Sequence, residues 1–239
     1  MSIADNLRRV RERIAEAAEA CGRSTNDVTL VGVTKYVGPQ EAGELAAAGC
    51  HDLGESRPQE LWNKAEQVGG FTPSVSHIRW HLVGHLQRNK VRRTLPLVSL
   101  IHSIDSERLL AAIDEARAET AGGSGPPCDV LLEVNTSGES AKHGLAPDEV
   151  APLLAAATRF QHVRICGLMT MAALEGGPDV AARNFATLRE IRDRLRPDAP
   201  DCVRLDELSM GMSGDFEQAI AEGATMVRVG SALLEGVTP

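Results

Sequence analysis

In the stretch VTLVGVTKYVG, Val28 to Gly38, an apolar and β-branched run leads directly to Lys35. Most strand-end lysines are merely solvated. An ammonium held short of bulk water gives up its proton more readily, and the free amine attacks an aldehyde. A second group lies in ELSMGMSGDFEQAIAEGATMVRVGSALLEG, Glu207 to Gly236. Met210, Gly211 and Met212 close one apolar run there, Ser213 is predicted to cap a helix beginning near Gly214, and Gly230 and Ser231 follow Val227 to Val229. Glycines let backbone N–H groups approach an anion, hydroxyls donate to it, and a helix N-terminus adds positive potential, so the chemistry is that of a phosphate cradle. Taken singly, each stretch reads equally well as an ordinary turn.

The elements that position these residues alternate. Apolar runs near 28–34, 51–54, 78–84, 97–104, 129–134, 163–169, 205–210 and 226–229 are separated mostly by helical segments such as PQEAGELAAAG, RPQELWNKAEQVGG and SERLLAAIDEARAET. Repeated strand-then-helix order requires parallel strands with right-handed crossovers. About eight such units, without a Gly-x-Gly-x-x-Gly turn after the first strand, predict an α/β fold of the (β/α)₈ TIM-barrel type, one domain over residues 1–239. An extra amphipathic helix precedes it: Ile3, Leu7, Val10, Ile14, Ala18 and Cys21 form its apolar stripe, and Ser2 with Asp5 has the form of a capping box. The Gly/Pro-rich AGGSGPP, 121–127, is expected to be a loop on the face opposite the chemistry.

A barrel changes the meaning of Lys35. Val31, Val33 and Lys35 share a strand face, so the two valines fill the interior beneath the lysine, at the strand end where barrel enzymes place their chemistry. An aldehyde for the lysine and a phosphate for the strand-7 and strand-8 loops describe pyridoxal 5′-phosphate (PLP) held as an aldimine. Arg228 alternates with Val227 and Val229 and faces away from them. If it meets the pyridine nitrogen, it can only donate, so that nitrogen stays unprotonated and the ring is a weak electron sink.

The chain resembles the pyridoxal phosphate homeostasis proteins, single-domain members of the alanine-racemase-like barrel group, almost end to end. The resemblance is carried by VGVTKYV, LGESRPQE, WHLVGHLQRNK, LIHSIDS, EVNTSGESAKHGL, GLMTM, LSMGMSGD and GATMVRVGSALLEG. It implies that Lys35 is the aldimine lysine, that Ser209, Gly211, Ser213, Gly230 and Ser231 surround the phosphate with Met210 beside them, and that Arg228 approaches the ring nitrogen. Where the family usually has Gly-Glu-Asn, this sequence reads Gly54-Glu55-Ser56, which puts a shorter hydroxyl at a cofactor-binding position.

Composition narrows the alternatives. A net charge of -8 argues against a general nucleic-acid or anionic-membrane binder, and the basic QRNKVRR at 87–93 is read as a solvated helix face. No apolar run reaches membrane-spanning length. Five cysteines without CxxC spacing and an N-terminus without a signal-like apolar stretch fit a reduced, cytoplasmic setting. His77, His81 and His85 recur every four residues, but in a strand such neighbours lie about 13 Å apart and cannot share a metal. Met169 and Met171 are pocket lining or buried filler. Lys142 and His143, in NTSGESAKHG, are either a second amine acceptor and anion contact or a solvated loop.

Three function classes remain. A non-catalytic carrier would bind PLP through Lys35 and act in PLP homeostasis; an amino-acid racemase would use the same barrel; an interaction module would bind no chromophore. Racemases of this architecture draw a tyrosine from a further β-domain, whereas this sequence ends three residues after Gly236. Its single tyrosine, Tyr36, is predicted to turn away from the lysine's face if the strand continues that far. The carrier is the expected class. Its partners would be PLP, PLP-dependent apo-enzymes and amino acids, and the chain is expected to be a monomer because no large apolar surface stripe is evident.

Overall fold

A computed structural model describes residues 2–71, 78–120, 125–139 and 143–237. His77, Lys142 and the first part of AGGSGPP therefore lie outside the described residues. Eight parallel strands close into a barrel in chain order: β1 (Thr29–Val33), β2 (Asp52–Glu55), β3 (Arg79–Leu82), β4 (Leu100–Ile104), β5 (Cys128–Glu133), β6 (Val163–Met169), β7 (Val203–Ser209) and β8 (Met226–Val229). The first and last strands pair in register, Val31 opposite Arg228 and Gly32 opposite Val229.

The N-terminal helix α1 (Ile3–Ala20) starts on the capping box read in the sequence, with the Asp5 amide donating to Ser2 Oγ at 3.2 Å. Its stripe is buried through Ala18, but Cys21 is the exposed C-cap rather than a sixth core position. Helices α2 (Pro39–Ala47), α3 (Pro58–Phe71), α4 (Val91–Thr94), α5 (Glu107–Thr120), α6 (Val150–Ala156), α7 (Gly177–Leu195) and α8 (Phe216–Ala221) follow the first seven strands. After β8 only a helical turn forms, and α1 packs between α8 and α2 to close the outer ring. Asn6 of α1, fully buried, donates to the carbonyls of Leu233 and Glu235 at 3.0 and 2.9 Å and so pins the segment after β8.

Alternation in β1 is as the sequence predicts. A Cβ on Gly32 would meet Leu45 and Cys50 on the helix side, whereas one on Gly54 of β2 would meet Val31 and Val33 inside. The interior is filled differently from the outer layer. Leu100, Leu131 and Met169 form a small apolar cluster, apart from the main core between strands and helices. Polar side chains share the interior with these and with Val31 and Val33: His81, His102, Ser209 and Arg228 are all buried. His102 of β4 lies 2.8 Å from Ser209 Oγ of β7, a contact that strands so far apart in the ring can make only across the lumen.

The 87–93 segment is a 3₁₀ turn running into α4. Arg92 pairs with Glu119 and Arg93 with Glu66, the latter arginine also stacking 4.3 Å from the Trp62 ring centre, so these charges are engaged at the surface as a helix face. Among the described residues no helix is long and apolar enough to cross a membrane.

Candidate functional site

Strand β1 ends at Val33, two residues earlier than the sequence pattern suggests, and Lys35 sits in the turn that follows. Its side chain is exposed at the upper, C-terminal mouth of the barrel rather than sheltered. Strand alternation therefore does not reach Tyr36. The Lys35 ammonium lies over the Tyr36 ring, 4.7 Å from its centre, and the tyrosine is 72% exposed. The turn is nonetheless fixed. Thr34 is fully buried, and the Val37 amide donates to its carbonyl at 3.1 Å.

Beneath the turn lies a second lysine, which no motif or spacing singles out. Lys64 of α3 is 1% exposed; its ammonium donates to the Thr34 carbonyl at 2.6 Å and pairs with the Glu55 carboxylate. Glu55 also accepts the Ser56 amide at 2.7 Å, and the Ser56 hydroxyl points to the same carboxylate at 3.4 Å. One buried carboxylate thus ties the end of β2 to the Lys35 turn. Ser56 stands at the mouth with its hydroxyl directed at Glu55.

Gly230, at the end of β8, is packed on the other flank of that turn: a Cβ there would meet the Val33 carbonyl oxygen at 3.1 Å. The amides of Gly230 and Ala232 both donate to Ser213 Oγ, at 3.2 and 3.3 Å, so donors of the β8 loop converge on the β7 loop. Ser231 is exposed beside them. Gly211 adopts φ +90°, where a side chain is strained, and a Cβ would clash with Ala219 and the Phe216 backbone. Ser213 is not the cap of α8. The helix starts at Phe216, and the Asp215 carboxylate accepts the Met212 amide at 2.5 Å. With six residues and a carboxylate already at its entry, α8 adds little positive potential to the cradle. Met210 is buried in the helix-side core with its amide donating to the Met226 carbonyl, so it forms wall rather than donor.

Arg228 faces the lumen, as its alternation predicts. It is 5% exposed; Nη1 donates to Ser209 Oγ at 2.7 Å and Nη2 to the Thr170 carbonyl at 2.8 Å. Burial pulls the guanidinium down to about 10, with Glu133 and Asp215 opposing that shift. The Ser209 hydroxyl, fully buried, lies between Arg228 and His102 rather than beside Ser213. His102, Thr170 and Lys64 are the polar residues that sequence reasoning missed. His102 and His81 occupy inward positions of neighbouring strands, a parity visible in the sequence once the barrel is drawn.

On the far rim, His85 Nδ1 is 3.4 Å from Asp105 and its ring stacks on His143 at 5.0 Å with 20° between planes. The donor atoms of these three lie within 4.8 Å of one another, but near-parallel imidazoles do not aim at a common point, so the group reads as a stacked polar cluster. Burial pushes the Glu133 carboxyl up, as does Asp105, against Arg228 and His143.

Comparison with known proteins bears on this arrangement. The profile of the family described as "Alanine racemase, N-terminal domain" matches residues 2–238. A pyridoxal phosphate homeostasis protein of Aquifex aeolicus is 38% identical over 233 residues, covering 98% of this chain and 97% of its own. A solved structure of an unknown protein from Bifidobacterium adolescentis superposes with a TM-score of 0.88 at 39% identity, over 97% of this chain and 94% of that one. PipY of Synechococcus elongatus, solved with PLP bound, gives a TM-score of 0.81 at 32% identity over 97% and 99%. By sequence over its whole length and by fold, the chain belongs to the alanine racemase N-terminal-domain family, among the pyridoxal phosphate homeostasis proteins.

Proposed function

We propose that this protein binds PLP through Lys35 and carries it in cofactor homeostasis without turning over a substrate of its own. The observation that carries the reading is the packing of Gly230 on Val33, which sets the converging amides of the β8 loop against the turn bearing Lys35. The residues present fit the cofactor. An exposed amine suits its aldehyde, two amides and the Ser213 hydroxyl suit its phosphate, and the buried Arg228 suits an accepting ring nitrogen. The relative PipY, solved with PLP bound, supports it. When bound, PLP supplies an aldehyde carbon that exchanges between amines.

The chain's own residues favour holding over catalysis. Arg228 keeps its charge near neutral pH and has no lone pair to accept with, so it holds no proton on a ring nitrogen. Tyr36, the one tyrosine, stands beside Lys35 on the same turn rather than opposite it, where a second acid/base would be needed. The carrier would act as a monomer in the cytoplasm, serving PLP-dependent apo-enzymes or exchanging with amino acids.

Borohydride reduction of the loaded protein and peptide mapping test the assignment. The adduct is expected on Lys35, and finding it only on Lys64, Lys90 or Lys142 overturns the reading. Pyridoxal lacking the phosphate is expected to bind far more weakly, each lost charge-assisted hydrogen bond costing roughly 1.5–3 kcal/mol.

A further inference from the structure

A continuous file of hydrogen bonds runs down the barrel lumen from Arg228 to the lower, N-terminal mouth. Arg228 Nη1 lies 2.7 Å from Ser209 Oγ, Ser209 Oγ 2.8 Å from His102 Nδ1, His102 Nε2 2.9 Å from His81 Nδ1, and His81 Nε2 3.1 Å from Asp52 Oδ1. Asp52 is gripped in turn by Arg79, and both line a cavity of about 290 Å³ at the lower mouth. Residues from five strands contribute, and every interior member of the file is buried.

With a single proton on each imidazole, the chemistry of the two ends fixes the direction of every bond between them. A guanidinium only donates, so Ser209 Oγ accepts from Arg228. A carboxylate only accepts, and Asp52 is ionised: burial raises its carboxyl, but the hydrogen bonds from His81 and Arg79 outweigh burial and bring it to about 2. His81 must then carry its proton on Nε2 and accept at Nδ1. His102 therefore donates from Nε2 and accepts at Nδ1, and the only donor left for that nitrogen is the Ser209 hydroxyl. Burial, followed by the nearby His81 and Arg228, holds His102 well below the usual histidine range.

We propose that Ser209, His102 and His81 are positioning residues forming a one-way hydrogen-bond relay, through which Asp52 at the lower mouth orients the Arg228 guanidinium at the upper one. The file holds two of the guanidinium's five N–H groups in place, one on Ser209 and one on the Thr170 carbonyl, and leaves the rest of the fork for the mouth. Its bearing on a bound ring nitrogen rests on the reading given above. The relay itself belongs to the protein alone, and a test on cofactor-free protein lets the two ideas fail separately.

Asp52→Ala supplies that test. Arg79 Nε and His81 Nε2 share Oδ1 of Asp52, and removing the carboxylate takes away the acceptor that keeps the His81 proton on Nε2. Histidine ¹⁵N NMR, which separates protonated from bare ring nitrogens, should show both imidazoles as Nε2–H in the wild type and a loss of that single form at both in Asp52→Ala. The Arg228 Nε–H resonance should shift in Asp52→Ala and stay in place in Asp129→Asn, which alters another carboxylate at the lower end, paired with Arg164. A wild-type His102 protonated on Nδ1 overturns the relay, and that spectrum is decisive even if the variant does not fold. So does a change that stops at His81, or an Arg228 signal indifferent to Asp52→Ala.

Discussion

The ammonium of Lys64 donates to the carbonyl of Thr34, at 2.6 Å, one residue before Lys35. A buried lysine is tolerated only when its charge is met, and here Glu55 meets it while itself fully buried. The pair is a brace under the turn that bears Lys35. Lys64→Met leaves Glu55 charged, buried and short of a partner, and should cost about 3–5 kcal/mol in urea unfolding. Adding Glu55→Gln, whose amide oxygen still accepts the Ser56 amide, should recover much of that loss. A cost below about 1 kcal/mol for the single variant would refute the brace.

Acid should weaken the empty barrel through His102. Its folded-state pKa is depressed well below the ordinary 6.5, so the unfolded chain binds the extra proton first as pH falls. Stability is then fully present above about pH 6.5 and is lost below it, at up to about 1.4 kcal/mol per pH unit until the folded value is reached. Replacing the residue, as in His102→Phe, removes this slope while lowering stability at neutral pH through the unpaired Ser209 and His81. Urea midpoints at several pH values between 7 and 5 measure it, and parallel slopes for both proteins would exclude the effect.

Gly211→Ala should disrupt the cradle from within. The added methyl meets Ala219 and the Phe216 backbone, and the left-handed backbone strains any side chain. Crowding costs about 1–3 kcal/mol and the backbone roughly 1–2 more. Thermal unfolding should report the loss, and phosphate-dependent cofactor affinity should fall with it. By contrast, a Cβ at Gly214 meets nothing within 4 Å, so Gly214→Ala is the matched control.

Carrier and racemase separate on one measurement. With PLP loaded, Cα–H exchange of amino acids into deuterated solvent should stay close to the rate given by free PLP, because Arg228 supplies no proton to the ring and Tyr36 stands beside Lys35 on the same turn. Rapid exchange that vanishes in Lys35→Ala would establish an enzyme instead.

The barrel, the strand order and the inward face of Arg228 were all legible, because strand period and helix period are local properties of the sequence. Lys35 is legible as a residue but not in its setting: alternation turns Tyr36 away from it only if the strand continues past Val33, where a turn replaces it. The resemblance implies Ser209 at the phosphate, whereas its hydroxyl bonds to Arg228 of the next strand and, across the lumen, to His102, 107 positions away. Such contacts depend on which strands face one another, and alternation alone does not specify that. Lys64 looked like any lysine on an amphipathic helix, and only the depth of α3 against β1 and β2 makes it interior.

Cys50 lies against the helix side of β1, where a Cβ on Gly32 would sit 3.0 Å from its sulfur. It is 3% exposed, and burial pushes its thiol up to about 12, so almost no thiolate exists at neutral pH. Cys21 and Cys202, by comparison, are exposed. A thiol reagent therefore marks the outer pair at once and Cys50 slowly, its adduct told apart by peptide mapping from that of the likewise buried Cys128. The chain carries a natural clock for breathing around the strand that leads to Lys35, independent of any cofactor.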